Sequence, residues 1–170
     1  MGKFMVFDVE SIGLHGEAFA VAWVVIDKKG NMIDEGLLSC CPSKAKGSDK
    51  NRKWIEENIP TLLITSPTRQ HMLNTFWHEW RKWADMGAVL VADCSWPVET
   101  NFLTDCIKLN SKEREWQGPY PLYDISSMLM AMGKNPIAIN ERKAEELPAH
   151  HPLMDSRQSA RILVECIGDL

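Results

Sequence analysis

No apolar run in the sequence approaches the roughly 18 residues that a membrane-crossing helix needs, so no membrane association through such a helix is expected. No two cysteines have the C-x-x-C spacing, and the count is odd: Cys40, Cys41, Cys94, Cys106 and Cys166. That argues against a structural zinc site and for buried or idle thiols. There is no internal repeat, no low-complexity tract and no linker-like stretch, so residues 1–170 are expected to form a single domain. The opening residues carry one lysine and then an acid around a short apolar run. They read as a first strand, not a signal peptide, and a cytoplasmic location is expected. Nor is there a surplus of positive charge: 19 Lys and Arg stand against 23 Asp and Glu, a formal net charge of −4. A nucleic-acid binder usually carries a basic face, so this balance argues mildly against one. The basic residues are locally gathered, however, with Lys44, Lys46, Lys50, Arg52 and Lys53 close together. Such a cluster reads either as a solvated loop or as a patch that meets phosphates.

What is present is ordinary for a globular chain: 45% apolar and 25% charged residues. Residues 4–9 and 18–26 are apolar, the second rich in β-branched side chains, and both read as strands. Lys28-Lys29-Gly30-Asn31 is a turn, and residues 32–39 form a third strand, so an antiparallel meander is predicted. Ser66 is placed as an N-cap with Pro67 at the first helical position. Leu73, Phe76, Trp80 and Trp83 then recur on one helical face, and Gly87 ends the helix. Those tryptophans read as a core stripe in preference to base-stacking platforms. Residues 88–92 form a short buried strand. Pro97 opens a helix to about residue 109, a short strand is an option near residues 121–123, Asp124 caps a helix over 125–132, and a last helix covers 154–167. The predicted class is α/β with a mixed sheet.

The strongest local pattern is Phe7-Asp8-Val9-Glu10-Ser11-Ile12-Gly13-Leu14. Two carboxylates at i and i+2 of a strand share one face. Side by side on an otherwise apolar strand they repel unless a cation neutralises them, and hard oxygen ligands suit Mg²⁺ or Mn²⁺. Near the other end, His150 precedes Asp155 in Ala149-His150-His151-Pro152-Leu153-Met154-Asp155. Asp155 stands at the start of an amphipathic helix, where its charge also suits the helix dipole. A histidine in the preceding loop titrates near neutrality and suits proton abstraction from water.

Asp8-x-Glu10-Ser11-x-Gly13-Leu14 and His150-x-x-x-x-Asp155 resemble the first and third motifs of the DEDDh exonucleases. That group includes RNase T, oligoribonuclease and the proofreading subunit of bacterial DNA polymerase III. The likeness runs from about residue 3 to 167, and within the group the chain most resembles the small stand-alone exoribonuclease-like members. The resemblance implies an RNase H-like fold: a mixed central sheet, its first three strands antiparallel, flanked by helices. It also implies 3′–5′ hydrolysis of RNA or DNA from a free 3′ end, with two divalent metal ions, Mg²⁺ or Mn²⁺. Asp8 would bridge both ions, Glu10 and Asp155 would complete one site, and His150 would be the general base. His151, one position closer to Asp155, ranks below it, and His15, His71 and His78 are expected to be surface groups. Bound cations would reverse the local charge of the acids and so soften the objection from net charge. In related enzymes the backbone after the motif glutamate contacts the terminal 3′ hydroxyl and an apolar residue wedges against the last bases. Ser11 and Leu14 match those positions, and a site of this kind reads bases without sequence preference.

The second motif departs from the family pattern, which places an aspartate before x-x-Phe-Leu at a helix start. Here the run is Asp93-Cys94-Ser95-Trp96-Pro97-Val98-Glu99-Thr100-Asn101-Phe102-Leu103. Glu99 has the family spacing to Phe102-Leu103, whereas Asp93 has the family residue type and a strand-end position. Either acid, or both, would hold the second metal, with a slight preference for Asp93. Phe102 is expected among the substrate-binding residues. Several family members are homodimers, so a homodimer is an option, with Trp54 and Trp116 as interface candidates that could equally be core. The altered motif also admits an alternative: a non-catalytic nucleic-acid-binding or interaction module.

Overall fold

The computed structural model describes residues 2–136 and 141–168. Five strands form one sheet in the order β3-β2-β1-β4-β5. Strands β1 (Lys3–Ser11), β2 (Ala18–Asp27) and β3 (Met32–Ser39) make the antiparallel meander, and β4 (Ala88–Ala92) and β5 (Tyr123–Asp124) add in parallel. The helices are α1 (Asp49–Asn58), α2 (Arg69–Asp85), α3 (Thr100–Lys108), the short α4 (Ser111–Arg114), α5 (Ile125–Ala131) and α6 (Pro152–Gly168). The α/β class, mixed sheet, antiparallel first three strands and flanking helices are those expected from the sequence. Among the described residues no helix is long and apolar enough to cross a membrane.

Alternation along β1 sends its side chains into two different cores. Met5, Phe7 and Val9 face α2 and α3, where Phe76 and Phe102 join the cluster. Phe4 and Val6 face α5 and α6, against Ile125, Leu129, Leu163 and Cys166. Burying each such large apolar side chain is worth about 1.5–3 kcal/mol, so both sheet faces are committed. The α2 stripe is core: Leu73, Phe76, Trp80 and Trp83 are all buried. Among the described residues no two cysteines form a disulfide, and Cys40, Cys106 and Cys166 are buried.

Two local features differ from the sequence reading. Helix α2 begins after Thr68, whose hydroxyl accepts the His71 N–H, and not after Ser66. The reason is that Thr65 and Ser66 are taken up by the end of β3: both backbone N–H groups donate to the Ser39 carbonyl, at 3.0 and 2.8 Å. The second difference is α1, an unpredicted helix capped by Ser48, whose hydroxyl accepts the Asn51 N–H. Ile55 is its one buried residue, which leaves almost no apolar periodicity to detect.

Candidate metal centre

Asp8 and Glu10 continue the Phe4–Val6 row of β1 onto the α6 side, at the end of the strand where the apolar row stops. Their partners across β2 are Ala22 and Ala20, small residues that leave room for the first turn of α6. That turn is tied down by Ser156, whose hydroxyl donates to the Ala22 carbonyl at 3.2 Å. The Asp155 N–H donates to the His151 carbonyl at 2.9 Å, which begins the helix. As a result Asp8, Glu10 and Asp155 each present a carboxylate oxygen within 4.8 Å of the other two.

The electrostatics of this arrangement are unfavourable for the protein alone. Asp8 Oδ2 is buried and has no hydrogen-bond partner. Burial, then Glu10, Glu99, Asp155 and Asp93 in that order, push the Asp8 carboxyl far above the usual aspartate range. Glu10 is pushed up to about 8 by burial and then by Asp155 and Glu99. Asp155 is also raised by burial, although a hydrogen bond from Arg142 and the nearness of His150 oppose the rise. Unpartnered oxygens from clustered acids fit a hard divalent cation, and Asp8, Glu10 and Asp155 could hold one.

The two second-motif acids occupy different places. Glu99 is buried at the end of a wide helical turn, Ser95–Glu99, and the polar backbone of Glu99 and Val9 partly offsets the rise of its carboxyl. Burial, followed by Asp93 and Asp124, pushes it up to about 8. Asp93 follows β4 at the exposed lip, and its carbonyl accepts the Ser126 N–H and hydroxyl, at 2.9 and 2.8 Å. Crowding by the surrounding protein, then Asp124 and Asp155, raise its carboxyl, against Arg142. Asp124 is committed elsewhere, capping α5 through the Ser127 N–H at 2.7 Å and accepting the Ser95 N–H at 2.6 Å.

Beside the acids lies a cleft of about 360 Å³ lined by Glu10, Ser11, Leu14, Asn51, Trp54 and Val98. Ser11 and Leu14 thus both line this cleft. The Ser11 hydroxyl donates to the Gly13 carbonyl at 2.8 Å, and Leu14 is 64% exposed. Gly13 has φ +74°, and a Cβ there would meet the Asn51 amide at 2.0 Å, so a side chain at this position would strain the loop that presents Leu14 and displace Asn51. Phe102 has to be corrected: it is 1% exposed and packs edge to face on Phe76 at 5.0 Å, so it belongs to the core and not to a substrate surface. Hydrophobic spacing in a helix suits either place, and the amphipathic face of α3 decides for the core.

His150 is exposed, has a left-handed backbone (φ 59°) and sets its ring edge-on to Trp54 with centroids 5.5 Å apart. Its nearness opposes the rise of the Asp155 carboxyl. His151 is partly buried, and its Nδ1 is enclosed without a partner. His15, His71 and His78 are exposed and lie outside the carboxylate group. Of the basic cluster, Arg52 donates to the Pro42 and Ala45 carbonyls at 3.1 and 2.6 Å, Lys46 pairs with Glu17 and Lys53 with Glu57, each at 3.8 Å. Trp116 is 92% exposed, whereas Trp54 forms one wall of the cleft.

The sequence reading missed Asn51, Val98 and Arg142 and left Trp54 between an interface and the core. The Ser48 cap with Asp49 in the following turn was the available sign of α1, and hence of Asn51 and Trp54. Nothing local marks Arg142.

No family model and no curated protein matches the sequence. Among solved structures, exonuclease I in a complex with SSB and the inhibitor CFAM aligns over 98% of this chain at 14% identity. Product-bound exonuclease I aligns over 98% at 15% identity. The TM-score is 0.49 for each, and the alignments cover 40% and 42% of those chains, so this chain spans about two fifths of their length.

Proposed function

We propose that the chain is a divalent-metal-dependent 3′–5′ exonuclease that removes nucleotides from the 3′ end of RNA or DNA. The observation that carries this reading is the convergence of Asp8, Glu10 and Asp155 within 4.8 Å, with a buried Asp8 oxygen that no protein group satisfies. Asp8, Glu10 and Asp155 would hold one Mg²⁺ or Mn²⁺, and Glu99 or Asp93 would help to hold a second. A pair of such ions supplies Lewis-acid stabilisation of the phosphoryl charge and favours deprotonation of water. Of the two second-motif acids we assign Glu99, because it is buried and weighs more on Asp8 than Asp93 does.

His150, exposed and near enough to Asp155 to oppose the rise of its carboxyl, would take the proton of the attacking water. The water oxygen bonds to phosphorus, the P–O3′ bond of the penultimate nucleotide breaks, and the new 3′ oxygen takes a proton from solvent. The released product is a nucleoside 5′-monophosphate. Leu14, Trp54 and Val98 form the apolar part of the cleft that receives the terminal base, and Ser11 lies beside Glu10 where the 3′ hydroxyl is read.

Matched labelled RNA and DNA strands, single- and double-stranded, test the reading in Mn²⁺ or Mg²⁺ and in EDTA. Stepwise shortening from the 3′ end that stops with EDTA and in Asp8→Ala is the expected result. Undegraded substrates in both metals, or equal degradation by Asp8→Ala, would overturn it.

A further inference from the structure

Asp155 is the one acid of the metal group that comes from outside β1, in the first turn of α6. Repulsion from Asp8, Glu10 and the second-motif acids drives it out of the cluster. Something must hold it there. Arg142 donates from Nη1 to Asp155 Oδ1 at 2.6 Å. The two side chains are 22% and 17% exposed, so solvent screens the pair less than it would at the surface. Among the described residues no other ion pair touches Asp8, Glu10, Asp93, Glu99 or Asp155.

The guanidinium is itself built in. Nη1 also donates to the Glu146 carbonyl at 3.0 Å. Glu146 is 2% exposed, and its carboxylate receives Arg161 Nε at 2.6 Å, Arg161 Nη2 at 2.9 Å and the Lys143 N–H at 2.9 Å. Arg161 and Asp155 both belong to α6. The segment from Arg142 to Glu146 is therefore stapled to the same helix at two points, one of them the candidate metal ligand. The guanidinium also opposes the rise of the Asp93 carboxyl.

We propose that Arg142 is a positioning residue that fixes the Asp155 carboxylate where one of its oxygens lies within 4.8 Å of Asp8 and Glu10, and so prepares the metal site. The inference rests on the metal-dependent reading above. Carboxylate ligands are commonly hydrogen-bonded from behind, and loss of such a partner typically costs ~10- to 100-fold in metal affinity. A competing account uses the same contact in the opposite sense, with the guanidinium excluding the cation, and predicts tighter binding once it is removed.

Mn²⁺ binding to the full chain, read from the free-ion electron paramagnetic resonance signal, separates the two. The chain is compared with R142Q, R142K and D8N, and circular dichroism and thermal midpoints monitor the fold. R142Q is expected to weaken the tightest Mn²⁺ site ~10- to 100-fold. R142K keeps the charge but loses the guanidinium geometry and should fall between. Raising Mn²⁺ should return the turnover of R142Q toward that of the unaltered chain. Should R142Q fail to fold, R142K decides alone. Unchanged or tighter Mn²⁺ binding in the folded variants overturns the positioning role while leaving the metal reading intact. An unaltered chain that binds Mn²⁺ no better than D8N overturns both.

Discussion

The His150 ring meets the Trp54 indole edge to face, 5.5 Å between centroids, so α1 and the loop before α6 come together beside the acids. Trp54 is 48% exposed and lines the cleft with Leu14, a geometry that can sandwich a base. A base stacked on an aromatic side chain contributes about 1–3 kcal/mol. Trp54→Ala is therefore expected to raise KM for a single-stranded substrate by ~5- to 150-fold, with Trp54→Phe much closer to the unaltered chain. Steady-state kinetics on one oligonucleotide checks this, and an unchanged KM would remove Trp54 from the substrate surface.

His150 gives a double signature because its backbone and its ring do different things. A non-glycine residue in the left-handed region costs about 1–2 kcal/mol, less for a residue type that tolerates it. His150→Gly should unfold at equal or higher urea concentration than the unaltered chain, yet lose ~10²- to 10⁴-fold in kcat with the general base. His150→Ala should lose the same rate without the gain in stability. His151→Ala should keep kcat within about tenfold, since its ring is turned into the protein. If His151→Ala proves the slower enzyme, the base has been misassigned.

The second-motif acid is separable by paired isosteric changes. Glu99→Gln removes a buried carboxylate that bears on Asp8, and it should cost at least ~10²-fold in kcat. Asp93→Asn alters an acid at the exposed lip and should cost less than about tenfold. The reverse ranking would assign the role to Asp93.

The parts legible in the sequence are those that periodicity or a fixed offset controls. Asp8 and Glu10 share a face because a strand repeats every two residues, and the apolar stripe of α6 could be read from residue 160 onward. The stripe of α2 was equally plain, since six of its residues are buried. Helix α1 was not legible because its sequence is almost wholly polar, and with it went the roles of Asn51 and Trp54. Phe102 went wrong because a motif position says which residue type is present but not which way the helix turns it. Arg142 lies 13 positions from Asp155, a contact that depends on the Glu146–Arg161 staple and that no local pattern reports.

The crowded carboxylates also fix how stability should depend on pH. Glu10 and Glu99 are ordinarily half-protonated near 4.5, but in the folded chain they stand at about 8. Between those values the folded chain binds more protons than the unfolded one, so stability falls as pH rises through that window. A divalent cation acts in the opposite direction, because its ligands must be ionised and its binding favours only the folded chain. In EDTA the thermal midpoint is expected to fall from about pH 5 to about pH 8. Millimolar Mn²⁺ should raise it little at the lower pH and most at the higher one. Glu10→Gln removes one of the raised groups and one candidate ligand together, so it should flatten the EDTA profile and blunt the Mn²⁺ response. Differential scanning fluorimetry across this range checks all three effects. A midpoint in EDTA that climbs steadily toward pH 8 would mean that these acids are not crowded as their positions require.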